Sequence, residues 1–155
     1  MITSSSTDRI EKTIVLKASR GKVWRALTDA REFGAWFGAT LDGNIAEGHE
    51  VAVRISSPKY AHLRLSLTVE RMVPEELFSY RWHPYPVDAA YDYSRDPQTL
   101  VEFRLADHPN GVELTVTESG FDSIPLARRA EAFRINTDGR KAQLANIERH
   151  VSQPS

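Results

Sequence analysis

PLARRAEAFRINTDGRKAQLANIERHV, residues Pro125 to Val151, is the stretch on which the fold turns. Its second half sets Leu144, Ile147 and Val151 on one helical face, with Arg140 at the head of that row. Its first half does the same with Leu126, Ala130 and Phe133, after Ser123 as N-cap and Pro125 in the first turn. Between them, Asn136-Thr137-Asp138-Gly139 is turn chemistry, so the pattern predicts a short helix, a break and a longer helix. A helix with one apolar face needs a partner to bury it.

That partner lies upstream, where the period changes. Val51, Val53 and Ile55 alternate with polar or small neighbours, as do Leu63, Leu65, Leu67 and Val69. Phe78, Tyr80 and Trp82 share one parity in the next run, and Val101, Phe103 and Leu105 in another. The last run turns Val112, Leu114 and Val116 inward, after an Asn110-Gly111 hairpin signal. Such alternation predicts an antiparallel sheet with one wet face, on which Arg54, Arg64, Glu70, Glu102, Arg104 and Glu113 form cross-strand pairs.

Ahead of the sheet, Ile10 to Ala18 reads as a first strand, with Ile14 and Leu16 on one face and Lys12 on the same parity. Ser19 caps a helix carrying Val23, Ala26, Leu27 and Ala30. A second short helix presents Phe33, Trp36 and Phe37 and ends at Gly38. Residues 1–9 are expected to be a disordered lead-in and 10–152 a single domain. The segment His83 to Gln98, HPYPVDAAYDYSRDPQ, has no periodicity and is expected to act as a lid over one entrance.

Composition narrows the function. The chain has 155 residues, 26% of them charged, with a formal net charge of -1, which argues against a nucleic-acid partner. It has no cysteine, hence no thiolate nucleophile and no Cys-based zinc site. No apolar run is long enough for a membrane span, and a cytoplasmic location is expected. No glycine-rich phosphate loop, nucleophile elbow or zinc-protease motif is present, so neither catalytic residues nor a cofactor are assigned. His83 with Asp88 and Asp92 is the nearest approach to a metal set, and its spacing across a proline-rich loop gives no reason to assign a metal.

The order strand, two short helices, long antiparallel sheet and long final helix resembles the START-like superfamily, also called SRPBCC or helix-grip. Within it the chain resembles the family named for the activator of the heat-shock-protein-90 ATPase. The resemblance is carried by Val23-Trp24-Arg25-Ala26-Leu27-Thr28-Asp29, Trp36-Phe37-Gly38, Leu77 to Pro84, Thr115 to Phe121 and the final helix. It departs at Arg140, which follows Gly139 where the family usually has tryptophan. It implies an α+β helix-grip fold: a curved antiparallel sheet wrapped around a long C-terminal helix, with two short helices near the N-terminus. Similar domains include lipid and hormone carriers, aromatic polyketide cyclases and co-chaperone modules.

The expected function is binding of a small apolar or amphipathic molecule in a hydrophobic cavity between sheet and final helix. Its expected walls are Trp24, Trp36, Phe37, Leu65, Tyr80, Trp82, Phe103, Leu114, Phe133 and Leu144. Arg140 has two readings: its head snorkels into water, or it stands at the pocket mouth and favours an acidic ligand head. The alternatives are a co-chaperone-like interaction module with a chaperone partner, and a cyclase- or hydrolase-like enzyme using His83, Asp88, Tyr91 or Arg140.

Overall fold

The computed structural model describes residues 9–58, 65–83, 97–124 and 126–152. Strand β1 (Arg9–Leu16) leads into helices α1 (Arg20–Thr28) and α2 (Ala30–Phe37). Strands β2 (Ala39–Asp42), β3 (Glu50–Ile55), β4 (Leu65–Val73), β5 (Leu77–Trp82), β6 (Thr99–His108) and β7 (Gly111–Ser119) follow. A 3-10 turn, Phe121–Ser123, precedes helix α3 (Leu126–Val151). Of the expected strand Leu63 to Val69, Leu63 and Arg64 lie outside the described residues, as does nearly all of the expected lid from His83 to Gln98.

Both short helices begin where their caps require. Ser19 Oγ accepts from Lys22 N at 3.2 Å and opens α1. Asp29 Oδ1 accepts from Arg31 N and Glu32 N, both at 3.0 Å, so one carboxylate answers two of the free N–H groups of α2. Gly38 ends α2 in the left-handed conformation at φ 82°.

The sheet has seven antiparallel strands in the order β1-β7-β6-β5-β4-β3-β2, a meander whose first strand returns to pair with its last. The registers put Phe78 opposite Phe103, Phe103 opposite Val116, and Leu67 opposite Trp82, aligning the apolar parities on one face. A register shift in β4 between Val69 and Arg71 is a bulge of the kind that bends a sheet. The other face carries ion pairs: Arg54–Asp42 at 2.9 Å and Arg81–Glu70 at 3.1 Å join neighbouring strands, as expected, whereas Arg104–Glu102 at 3.2 Å runs along β6 and not across strands. Exposed pairs of this kind contribute roughly 0–1 kcal/mol each.

Helix α3 lies against the concave face. Leu144, Ile147 and Val151 are buried in the same cluster as Phe78, Tyr80, Phe103 and Leu114. Each such side chain contributes about 1.5–3 kcal/mol through burial.

The expected break in this helix is absent. Asn136 Nδ2 donates to the Ala132 carbonyl at 2.8 Å and Thr137 Oγ1 to the Phe133 carbonyl at 2.7 Å. Side chains that would favour a turn are here bonded back onto the helix. Nothing lies within 4 Å of where a Cβ on Gly139 would stand, so no neighbour forces a bend at that glycine. One helix therefore needs one buried row, and it runs Ala132, Asn136, Arg140, Leu144, Ile147, Val151. Ala130, expected on that row, is exposed, and Leu126's side chain lies outside the described ones.

Candidate functional site

The expected pocket residues divide into two groups. Trp36, Phe37, Tyr80, Trp82 and Phe103 form one aromatic wall together with Phe33 and Phe78. Trp36 meets Phe103 with ring centroids 6.3 Å apart, Phe37 meets Trp82 at 6.0 Å, and Tyr80 meets Trp82 at 5.7 Å. All three contacts are edge-to-face, the arrangement the ring quadrupoles favour. Leu114 and Leu144 are buried in the same cluster, and Trp24 and Leu65 are half-buried against it. Phe133 stands apart: its ring packs on Phe121 at 5.5 Å, in a smaller cluster with Ile10, Ile124 and Ala132.

Helix α2 holds its side of this wall firmly. Trp36 Nε1 donates to the Ala26 carbonyl of α1 at 2.8 Å, and Asn146 Nδ2 of α3 donates to the Trp36 carbonyl at 3.1 Å. Trp36 thus ties α2 to both α1 and α3.

A polar cluster is set into the wall. Arg140 is only 1% exposed and Glu118, on the inner parity of β7, is 0% exposed. Arg140 Nε donates to Glu118 Oε1 at 3.0 Å, and its Nη1 donates to Gln143 Oε1. Glu118 Oε2 accepts from Trp82 Nε1 at 2.8 Å and from Thr99 Oγ1 at 2.5 Å. The guanidinium also lies over the Trp82 ring, 4.9 Å from its centroid.

This overturns the snorkelling reading of Arg140. The helix axis carries its row straight onto the sheet, so the guanidinium points into the interior and is dry. Nor does Arg140 present an unanswered positive charge, because Glu118 already balances it.

Tyr80 Oη and Arg140 Nη2 make no hydrogen bond of ideal geometry, but the phenol oxygen stands within hydrogen-bonding reach of the Arg140 guanidinium. Nη2 does lie 3.0 Å from Glu118 Oε1, an ion-pair distance at a poor angle. Burial pushes the Tyr80 hydroxyl's pKa up; Arg140 draws it back and Glu118 raises it further, for a net rise. The phenol is therefore neutral at ordinary pH and available as a donor. Burial works against the charge on Arg140, but Tyr80 and Glu118 outweigh it and the guanidinium stays protonated.

Glu118 and Thr99 were missed by sequence reasoning, although the signal was present. The inward parity of β7 continues from Val112, Leu114 and Val116 to Glu118, and that of β6 reaches back from Val101 to Thr99. Of the residues considered for catalysis, His83 is half-buried at the end of β5, while Asp88 and Tyr91 lie outside the described residues. Asp92, the other candidate metal ligand, does too. Among the described residues no cluster of three or more His, Asp or Glu side chains could hold a metal ion. Nor is any described helix long and apolar enough to cross a membrane. An open hollow of about 1070 Å³ lies beside α2 and β2, lined in part by Asp29, Arg31, Glu32 and Thr40, and none of the expected pocket residues lines it.

Comparison with known proteins follows the same outline. Residues 17–152 match the family described as activator of Hsp90 ATPase homolog 1-like protein. No curated protein matches the sequence. Among solved structures, a protein from Mesorhizobium loti is similar with a TM-score of 0.75 at 22% identity, over 95% of this chain and 98% of that one. A protein from Arthrobacter aurescens superimposes with a TM-score of 0.78 at 13% identity, over 99% and 91% of the two chains. An Aha1 dimer from Colwellia psychrerythraea gives 0.68 at 16% identity, over 92% and 95%. At these identities the likeness is one of fold.

Proposed function

Since the chain belongs to the family of activator of Hsp90 ATPase homolog 1-like proteins, we propose that it works as a binding module for a small apolar or amphipathic molecule held between the sheet and α3. The observation that supports this reading is the aromatic wall of α2, β5 and β6 facing α3, with the buried polar cluster of Tyr80, Arg140 and Glu118 set into it. A few polar groups set into an apolar, aromatic lining is the combination that ligand sites use.

Native mass spectrometry of the protein purified from its own host tests the reading, together with thermal shifts against apolar and amphipathic compounds. A retained mass, or a saturable rise in melting temperature, is expected. No retained mass and no shift with any compound would overturn it.

A second reading is favoured by the family's description and by the Colwellia Aha1 neighbour: a module that contacts an Hsp90-type ATPase. Titration with such an ATPase, read as binding and as ATP turnover, tests it. Silence in both at micromolar concentration removes it.

A further inference from the structure

We propose that the free edge of β2, with the hollow beside it, is a docking groove for an extended acidic segment of a partner chain, which adds to the seven-stranded sheet as a further strand. The groove is separate from the site between sheet and α3, none of whose residues line it.

Strand β2 ends the sheet and pairs with β3 alone. The register tells which of its backbone groups stay open. Gly38 O accepts from Ser56 N at 2.9 Å, so these two residues form a hydrogen-bonded pair. In an antiparallel ladder such pairs alternate with unbonded ones. The next bonded pairs are Thr40 with Arg54 and Asp42 with Ala52, while Ala39 and Leu41 turn their N–H and C=O groups away from β3. Gly34 gives an independent check. A Cβ on it would stand 2.3 Å from the Ala39 carbonyl oxygen, so that carbonyl faces α2. Helix α2 therefore stands over the edge at Ala39.

Leu41 is the next open position, and it lines the hollow of about 1070 Å³ between α2 and β2. Its N–H and C=O have no hydrogen-bond partner among the described residues. An unpaired donor and acceptor on an edge strand are the complement of another backbone. Strand addition uses that complement for affinity and the flanking side chains for selectivity.

The lining charges set the selectivity. Asp29 Oδ1 already accepts from Arg31 N and Glu32 N, and Glu32 is held by Arg25 at 2.9 Å and His150 at 3.0 Å. Arg31 is exposed, and its guanidinium has no partner among the described residues. It is the charge of the groove that is left to be answered, and a carboxylate answers it best.

Three capped pentapeptides test this by NMR titration of the whole chain. They are acetyl-Thr-Val-Glu-Val-Thr-amide, the same peptide with lysine for glutamate, and the glutamate peptide with its three central nitrogens methylated. The glutamate peptide is expected to give saturable shifts at the Leu41 amide and its neighbours in β2. It should bind about three- to fivefold tighter than the lysine peptide, the effect of an exposed ion pair. Arg31→Glu, a change at an exposed position, should reverse that order. The methylated peptide, which cannot donate to the edge, should not bind. Leu41→Pro removes the edge N–H and should abolish binding of the glutamate peptide; if that variant does not fold, the methylated peptide decides. No binding of the glutamate peptide at millimolar concentration, or equal binding of the methylated one, would overturn the proposal. So would an unchanged order in Arg31→Glu, shifts that leave β2 unmoved, or β2 shifts that grow with protein concentration alone, the mark of a second copy on the edge. None of these outcomes bears on the site between sheet and α3, which thermal shifts with small molecules decide.

Discussion

Arg140 of α3 and Glu118 of β7 meet at 3.0 Å with both side chains out of water, joining the final helix to the sheet 22 residues upstream. The pair is also the keystone of a larger set, since the same carboxylate answers Trp82 and Thr99. Removing one partner leaves the other charge buried alone, a change that costs about 3–5 kcal/mol. Arg140→Met and Glu118→Gln are each expected to destabilise by that amount. The double variant should lose clearly less than the sum, because it leaves neither charge buried alone. Urea unfolding of all four proteins gives the coupling; additive losses would show that the two side chains act independently.

Tyr80 makes a different signature, in pH. Its folded-state pKa lies above the ordinary value of about 10. The stability that the neutral phenol contributes is thus complete below about pH 10 and is lost as pH rises through the folded value. Between those limits the wild type should lose up to about 1.36 kcal/mol per pH unit more than Tyr80→Phe. At neutral pH the Phe variant should differ from the wild type by about 1 kcal/mol or less, since the ring is kept and only the hydroxyl's bond to Arg140 is lost. Parallel denaturation curves from pH 7 to 11.5 check both, and identical alkaline slopes would refute the buried phenol.

The wall residues were legible in sequence because their periods were clean. Phe78, Tyr80 and Trp82 on one parity, and Phe33, Trp36 and Phe37 at helical spacing, could face only one way. Arg140 was legible in position and misread in state. A row of apolar neighbours says which way a side chain points, but whether its charge is answered depends on what another element brings. Glu118 was readable by parity, yet a glutamate at the end of a strand is usually wet, and its burial is explained only by the partners other elements bring: Trp82, Thr99 and Arg140. The continuous α3 was hidden for another reason. Asn136, Thr137 and Gly139 carry turn propensity, and packing of the helix against the sheet overrides local preferences of a kcal/mol or less.

Gly139 offers a gain. It lies within α3, does not have a positive φ, and nothing stands within 4 Å of its missing Cβ. Gly139→Ala should stabilise by about 0.5–1 kcal/mol by lowering the entropy of the unfolded chain. For a chain of this size that raises the melting temperature by roughly 1–4 °C. An unchanged or lower melting temperature would count against a continuous helix there.

Gly34 offers the contrast. A Cβ at that position would stand 2.3 Å from the carbonyl oxygen of Ala39, a backbone atom that cannot swing aside. Gly34→Ala should push α2 off β2 and cost about 1–3 kcal/mol, despite alanine's better helix propensity. Loss of stability measured by urea titration is the expected result, and a gain would mean that α2 and β2 are farther apart than described.

The return of β1 to β7 has a consequence for how the molecule comes together. Every other pairing joins strands that follow one another along the chain, from β2–β3 to β6–β7. Thr13 and Thr115 touch across 102 residues, so β1 is ordered only after the largest loop in the sheet has been closed. Loop entropy makes that contact late as well as slow. The first strand of this sheet to be made is then the last to find its neighbour, and must wait until β7 has emerged. Pulse-labelled hydrogen exchange during refolding should accordingly protect the amides of β6 and β7 before those of β1. Only when β1 has docked does the sheet reach its full width against α3.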